Sequence, residues 1–168
     1  MLTINEILRA QNVKRWSLVA TTRPQSIAEH TFNVTMIARS MCKSLGIPDE
    51  LVIKAALEHD LDECITGDIP SPTKRRIEQM GFDFGDLEVV KKNYSRLDAD
   101  SSTIVKCADL IDAIHFLQEF GTGRRARDVE ELLRDQLQDI IESLALSGSP
   151  HLATVVADAA DEILMGEA

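Results

Sequence analysis

The chain predicts an all-α bundle of about six or seven helices, and three observations carry that reading. Apolar residues recur at helical spacing along nearly the whole length. Strand-like alternation flanked by hairpin turns is hard to find. Caps and breakers fall between the periodic stretches, where a bundle needs its turns. At 168 residues the chain can bury a sizeable core. No repeat, low-complexity tract or linker divides it, so residues 1–168 read as a single domain.

The elements follow in order. Thr3 caps a short first helix carrying Ile4, Ile7 and Leu8. Ser26-Ile27-Ala28-Glu29 is a capping box, in which Glu29 reaches back to the cap. The helix it opens runs to about Leu45 and stops at Gly46; Val34, Ile37, Ala38 and Met41 form its apolar stripe. Pro48, Asp49 and Glu50 start the next helix, which carries Leu51, Val52, Ala55, Ala56 and Leu57 into Glu58-His59-Asp60. A Gly and two prolines make Thr66–Pro72 a loop. A shorter helix is expected near Lys74–Met80, a turn around Gly81 and Gly85, and a helical patch over Leu87–Tyr94. Asp98 or Ser101 caps a strong helix over Ile104–Phe120, ended by Gly121. Two amphipathic helices follow, near Arg127–Leu146 and His151–Met165, separated by Ser147-Gly148-Ser149-Pro150. Their apolar faces exceed what one bundle covers, which suggests a homo-oligomer.

A net charge of −10 argues against non-specific binding to nucleic acid or an anionic membrane. It leaves room for a small phosphorylated substrate in a locally basic cleft. The first residues lack the charged start and apolar run of a signal peptide, and no stretch approaches the ~18–20 apolar residues of a membrane span. Cys42, Cys64 and Cys107 are odd in number and widely spaced, as reduced structural thiols of a cytoplasmic protein are.

The chemistry concentrates in His59-Asp60, with His30 upstream and Asp109 downstream. Two imidazoles and two carboxylates make a four-ligand N2O2 shell for one divalent cation. Such a shell leaves open positions for water and a phosphate oxygen, as metal-assisted hydrolysis requires. Each residue also has a plainer reading. A lone His30 is more often a hydrogen-bonded histidine, and His59 could serve the helix dipole. The adjacent Asp60 then goes unexplained. Asp109 interrupts an apolar face, where a carboxylate without a partner is costly. Asp112, one turn on, reads either as support for a ligand or as a surface residue.

These residues resemble the H…HD…D signature of the HD-domain phosphohydrolases. The likeness extends to Arg15-Trp16, to Ala28-Glu29-His30-Thr31, to His59-Asp60-Leu61-Asp62-Glu63, and to Thr66-Gly67-Asp68-Ile69-Pro70-Ser71-Pro72-Thr73-Lys74. Those segments are similar to the bacterial 5'-deoxynucleotidase branch. The short gap between Asp60 and Asp109 is closer to the small phage-encoded enzymes that hydrolyse dATP to deoxyadenosine and triphosphate.

The resemblance implies an HD-type bundle in which a divalent ion (Mn, Co, Zn or Mg) is held by His30, His59, Asp60 and Asp109. It assigns Glu63 to the attacking water and Asp68 to the leaving sugar oxygen. It places Arg15 and Lys74 on phosphate, with Arg75 and Arg76 as further cations, and Trp16 against the deoxyribose or base. The plainer readings are an exposed glutamate, a turn-forming aspartate, a solvated helix start and a core tryptophan. The expected activity is a deoxynucleotide hydrolase, dNTP triphosphohydrolase first and 5'-nucleotidase on monophosphates second. The substrate is a small molecule, with neither a nucleic acid polymer nor a membrane as partner. The location is the cytoplasm, that of the host for a phage-encoded chain. A cyclic-dinucleotide or (p)ppGpp hydrolase needs further motifs, and only His115 and His151 remain. A degenerate nucleotide sensor fits poorly with an intact ligand set and Glu63.

Overall fold

The computed structural model describes residues 2–82 and 97–165. It runs α1 (Ile4–Ile7), a 3-10 turn (Leu8–Gln11), α2 (Ile27–Leu45), α3 (Glu50–Glu58), α4 (Glu63–Thr66), α5 (Ser71–Gln79), α6 (Ala99–Phe120), α7 (Gly123–Ser147) and α8 (Pro150–Leu164). Among the described residues, extended pairing is confined to two isolated bridges, Lys14 with Ser26 and Thr21 with Gly121. The all-α expectation holds.

α6 is the axis of the bundle. Ile104, Val105, Cys107, Ala108, Leu110, Ile111 and Ile114 are buried around its circumference, the pattern of a helix surrounded by others. α2, α3, α7 and α8 all pack against it. Small residues set the spacing on one side. Ala38 of α2, Ala55 and Ala56 of α3, and Ala108 of α6 are fully buried, so three backbones approach closely. On the other side α7 and α8 contribute Leu137, Leu144, Leu152 and Val156.

Several boundaries differ from the sequence reading for local reasons. Ser26 does cap α2 through the Glu29 N–H, but the Glu29 carboxylate turns away to a bidentate pair with Arg23 at 2.6 and 3.0 Å. The complete capping box is Thr3 with Glu6. The Thr66–Pro72 loop is shorter than expected, because α4 takes in Thr66 and Pro72 lies in the first turn of α5, where proline needs no N–H partner. Asp98 caps α6 by accepting the Ser101 N–H at 2.7 Å. The Leu87–Tyr94 patch and Gly85 lie outside the described residues. The bundle covers most of the apolar surface of α7 and α8. Leu132, Leu146 and Met165 stay exposed there, and Phe32 and Met36 share an exposed face of α2. No described helix is long and apolar enough to cross a membrane.

Residues 12–26 form an arm pinned at two places. The Arg15 N–H donates to the Gln25 carbonyl, and the Ile27 N–H to that of Val13. Further along, the Thr22 N–H donates to Phe120 O and the Thr122 N–H to Ala20 O, at 2.8 and 2.9 Å. Gly121 allows this second pairing, since a Cβ there would lie 2.4 Å from the Leu117 carbonyl oxygen. The arm is therefore tied to the start of α2 and the end of α6.

Ile104 is fully buried on α6, remote from the arm. Ile104→Ala is expected to lower unfolding free energy by ~2–5 kcal/mol, measured by urea denaturation.

Candidate metal centre

His30 lies one turn into α2, with its side chain fully buried. Its Nδ1 is 2.5 Å from Asp112 Oδ2 on α6. The Asp112 carboxyl is itself buried, which alone would raise its pKa. Hydrogen bonds from His30 and Asn33, with the His30 and Arg15 charges, hold it below the ordinary value. An ionised carboxylate accepts only, so Nδ1 carries the proton and donates. His59, the C-cap of α3, repeats the pattern. Its Nδ1 faces the Ala56 carbonyl at 2.7 Å, another group that only accepts.

Both Nε2 atoms are thereby turned inward, 3.1 Å apart. Asp60 Oδ2 is 3.4 Å from His30 Nε2 and 3.2 Å from His59 Nε2. Asp109 Oδ1 is 3.3 Å from His30 Nε2, and Lys106 Nζ takes its other oxygen at 2.9 Å. Donor atoms of His30, His59 and Asp60 all lie within 4.8 Å of one another. Two imidazoles and the Asp60 carboxylate thus meet at one point, and Asp109 joins them from α6 through His30 alone.

Such a cluster needs positive charge. One source is a proton on His30. Burial and the Arg15 charge push its pKa down, but hydrogen bonds to Asp109, Asp112 and Asp60 outweigh them and raise it to about 10. Burial likewise raises Asp60, and its hydrogen bonds with His30 and His59 win, holding it well below the usual carboxylate range. Asp109 is lowered against burial by His30 and Lys106. The other source is a divalent cation, which suits two nitrogens and two carboxylate oxygens.

Glu63 brings a further acceptor. Its Oε2 is buried without a hydrogen-bond partner among the described residues. Burial first, and the nearby Asp60 and Asp68 charges next, raise its pKa to about 8. An orphaned carboxylate oxygen beside convergent donor atoms fits a site built for a metal and its water. Asp68 is raised by burial and by Asp60, despite Arg15 and a backbone hydrogen bond with Trp16.

The arm and α5 carry the remaining groups. The Arg15 guanidinium lies 4.0 Å from Asp109 and 3.8 Å from Asp112, and over the Trp16 ring at 5.1 Å. Trp16 stacks parallel to Phe116 at 6.2 Å. Its backbone is left-handed, with φ +69°. Its indole N–H donates to Gln25 Oε1 at 2.9 Å. Lys74 and Arg75 stand exposed on α5, after the Gly67–Pro70 loop.

Residues 4–95 match the family model described as 5'-deoxynucleotidase YfbR-like. That stretch carries His30, His59-Asp60, Glu63 and Asp68. This chain belongs to the YfbR-like HD phosphohydrolases. A dATP triphosphohydrolase of cyanophage S-2L is 34% identical over 139 residues, covering 79% of each chain. One of Acinetobacter phage SH-Ab 15497 is 37% identical over 144 residues, covering 73% of this chain and 70% of that one. The solved structure of the cyanophage S-2L HD phosphohydrolase DatZ, bound to dA and one catalytic Zn2+ ion, superposes with a TM-score of 0.84. It is 26% identical, with 98% of each chain covered.

The sequence reading of this YfbR-like chain missed Gln25 and Asn33 and left Asp112 undecided. Asp112 is 1% exposed and accepts from Asn33 Nδ2 at 2.7 Å as well as from His30. Its signal was a second carboxylate three residues after Asp109 on an apolar helix. Gln25 and Asn33 carried none, each being a single amide without a partner at a telling spacing.

The raised Glu63 carboxyl gives a signed pH dependence. Its folded pKa lies above the unfolded value, so its contribution to stability is full below about 4.5 and is lost as pH rises through about 8. In chelator-treated protein, Glu63→Gln is therefore expected to gain stability relative to the parent between pH 5 and pH 9. Urea denaturation across that range checks it.

Proposed function

We propose that this chain is a divalent-metal-dependent hydrolase of 2'-deoxynucleotides, acting on dATP as a triphosphohydrolase, with residues 1–168 as one catalytic domain. The observation that carries the reading is the convergence of His30, His59 and Asp60, with Asp109 against His30, and the unpartnered Glu63 oxygen. The phage relatives, named as dATP triphosphohydrolases, support the substrate class.

His30 and His59 would hold the metal through Nε2, and Asp60 and Asp109 through one oxygen each. The bound ion supplies Lewis-acid polarisation of a phosphoryl oxygen and a lowered pKa for water; Zn2+, present in DatZ, is the first candidate. Glu63 orients the water and, ionised beside positive charge, takes its proton. The water oxygen bonds to the α-phosphorus as the bond from phosphorus to O5' breaks. Asp68, held toward its protonated form by burial, delivers a proton to the departing O5'. The products are deoxyadenosine and triphosphate.

Arg15 neutralises charge on the α-phosphate oxygens. Trp16 packs against the deoxyribose and leaves no room for a 2'-hydroxyl. Lys74 and Arg75 serve the outer phosphates. The exposed Phe32 and Met36 on α2 support a homo-oligomer. Three free, buried cysteines suit the cytoplasm, where nucleotide pools reside.

Incubation with dATP and Zn2+, Co2+, Mn2+ or Mg2+ is expected to release deoxyadenosine and intact triphosphate, seen by 31P NMR. Orthophosphate from dAMP without dATP turnover would instead identify a 5'-nucleotidase, and no deoxynucleotide turnover with any metal rejects both. Asp60→Ala is expected to lose metal and turnover together. Trp16→Ala is expected to reduce the preference for dATP over ATP by roughly 10-fold or more, within the ~1–3 kcal/mol of a steric contact, read from the ratio of kcat/KM values.

A further inference from the structure

Gln25 is fully buried, immediately before the Ser26 cap. Among the described residues its side-chain hydrogen bonds go to Arg15, Trp16 and Asp112 rather than to a metal donor, Glu63 or Asp68. Its amide nevertheless joins both halves of the site. Oε1 accepts from Arg15 NH1 at 3.1 Å and from Trp16 Nε1 at 2.9 Å. Nε2 donates to Asp112 Oδ2 at 2.8 Å. The orientation of the amide follows from these partners. Turned over, it would set its NH2 against two N–H donors and its oxygen against a carboxylate.

Asp112 Oδ2 also receives the His30 Nδ1 proton, and Asn33 holds Oδ1. A hydrogen-bonded chain therefore connects the indole and guanidinium of the arm, through the Gln25 amide, to the Asp112 carboxylate, which the imidazole meets from the other side with its Nε2 facing the cluster. Each link is between buried or partly buried groups, where hydrogen bonds are strong and costly to leave unmade.

We propose that Gln25 is a positioning residue that couples the substrate arm to the metal centre through Asp112. The inference rests on the metal-centre reading proposed for His30, His59, Asp60 and Asp109. With Gln25 in place, Asp112 is held where it fixes the His30 tautomer and ring plane, and Arg15 and Trp16 are held in register with it. Without it, Asp112 turns toward Arg15, 3.8 Å away, and the aim of His30 loosens.

The test is a double-mutant cycle on Zn2+ affinity, read by competition with a chromogenic chelator. Asp112→Asn is expected to weaken Zn2+ binding about 10- to 100-fold, the usual effect of losing a partner behind a metal-binding histidine. Gln25→Met, similar in shape but unable to donate, is expected to weaken it roughly 3- to 10-fold, within the same range of outer-partner effects. In the double variant the Gln25 change is expected to add nothing. A filler of space would instead contribute the same factor in both backgrounds.

Parental Zn2+ affinity in Gln25→Met, or a double variant equal to the product of the singles, overturns the proposal. If Gln25→Met fails to fold by circular dichroism, Trp16→Phe replaces it. That variant keeps a ring but removes the indole N–H. It is expected to weaken Zn2+ binding about 2- to 3-fold, below the outer-partner range because it lies one link further out, and unchanged affinity there overturns the proposal. A parent that binds no Zn2+ removes the metal reading itself. A parent that binds Zn2+ and hydrolyses dATP, with additive variants, removes the coupling alone.

Discussion

The structure depends on one buried ionic hydrogen bond, between the His30 imidazole on α2 and the Asp112 carboxylate on α6. A carboxylate at 1% exposure within an apolar helix is expensive unless every lone pair finds a donor. Asp112 finds three nearby, from His30, Asn33 and Gln25. Satisfying it fixes which face of α2 meets α6, and that register carries His30 Nε2 to the Asp109 oxygen one turn away. The geometry of the donor cluster and the packing of the two helices are thus the same constraint seen from two sides.

Around that contact the alanines of α2, α3 and α6 matter as much as the ligands. Ala38, Ala55, Ala56 and Ala108 are buried to the last atom. They let α3 end close enough for its C-cap, His59, to reach the centre. Larger residues would push the helices apart, and a centre built from three elements cannot tolerate misplacement of even one. His59 at a helix end, rather than mid-helix, frees Asp60 to turn inward beside it and lets α4 restart at Glu63.

Much of the fold was legible because bundles are written in periodicity and punctuation. The Gly46 and Gly121 stops, the Asp98 cap and the breaker before α8 fall where local chemistry puts them. The Glu29 half of the capping box was not legible, since Arg23 outcompetes the cap for the same carboxylate across a loop. The donor quartet could be read as a pattern of residue types, and the arrangement at one point is a property of three-dimensional packing. Gln25 and Asn33 illustrate the limit. An amide has no sequence periodicity and no characteristic spacing, and its importance lies wholly in which groups surround it after folding.

Trp16 has a left-handed backbone, a conformation that a bulky side chain adopts at a cost on the order of 1–3 kcal/mol. Two backbone pairings, the Phe116 stack and the Gln25 oxygen hold it there. That expense is met during folding, before any nucleotide arrives. In the role proposed for Trp16, the wall against the sugar is therefore pre-organised rather than induced, and an incoming ligand spends little of its binding free energy on ordering the arm. An ordered wall also discriminates more sharply, because a misfitting sugar cannot be relieved by letting the wall relax.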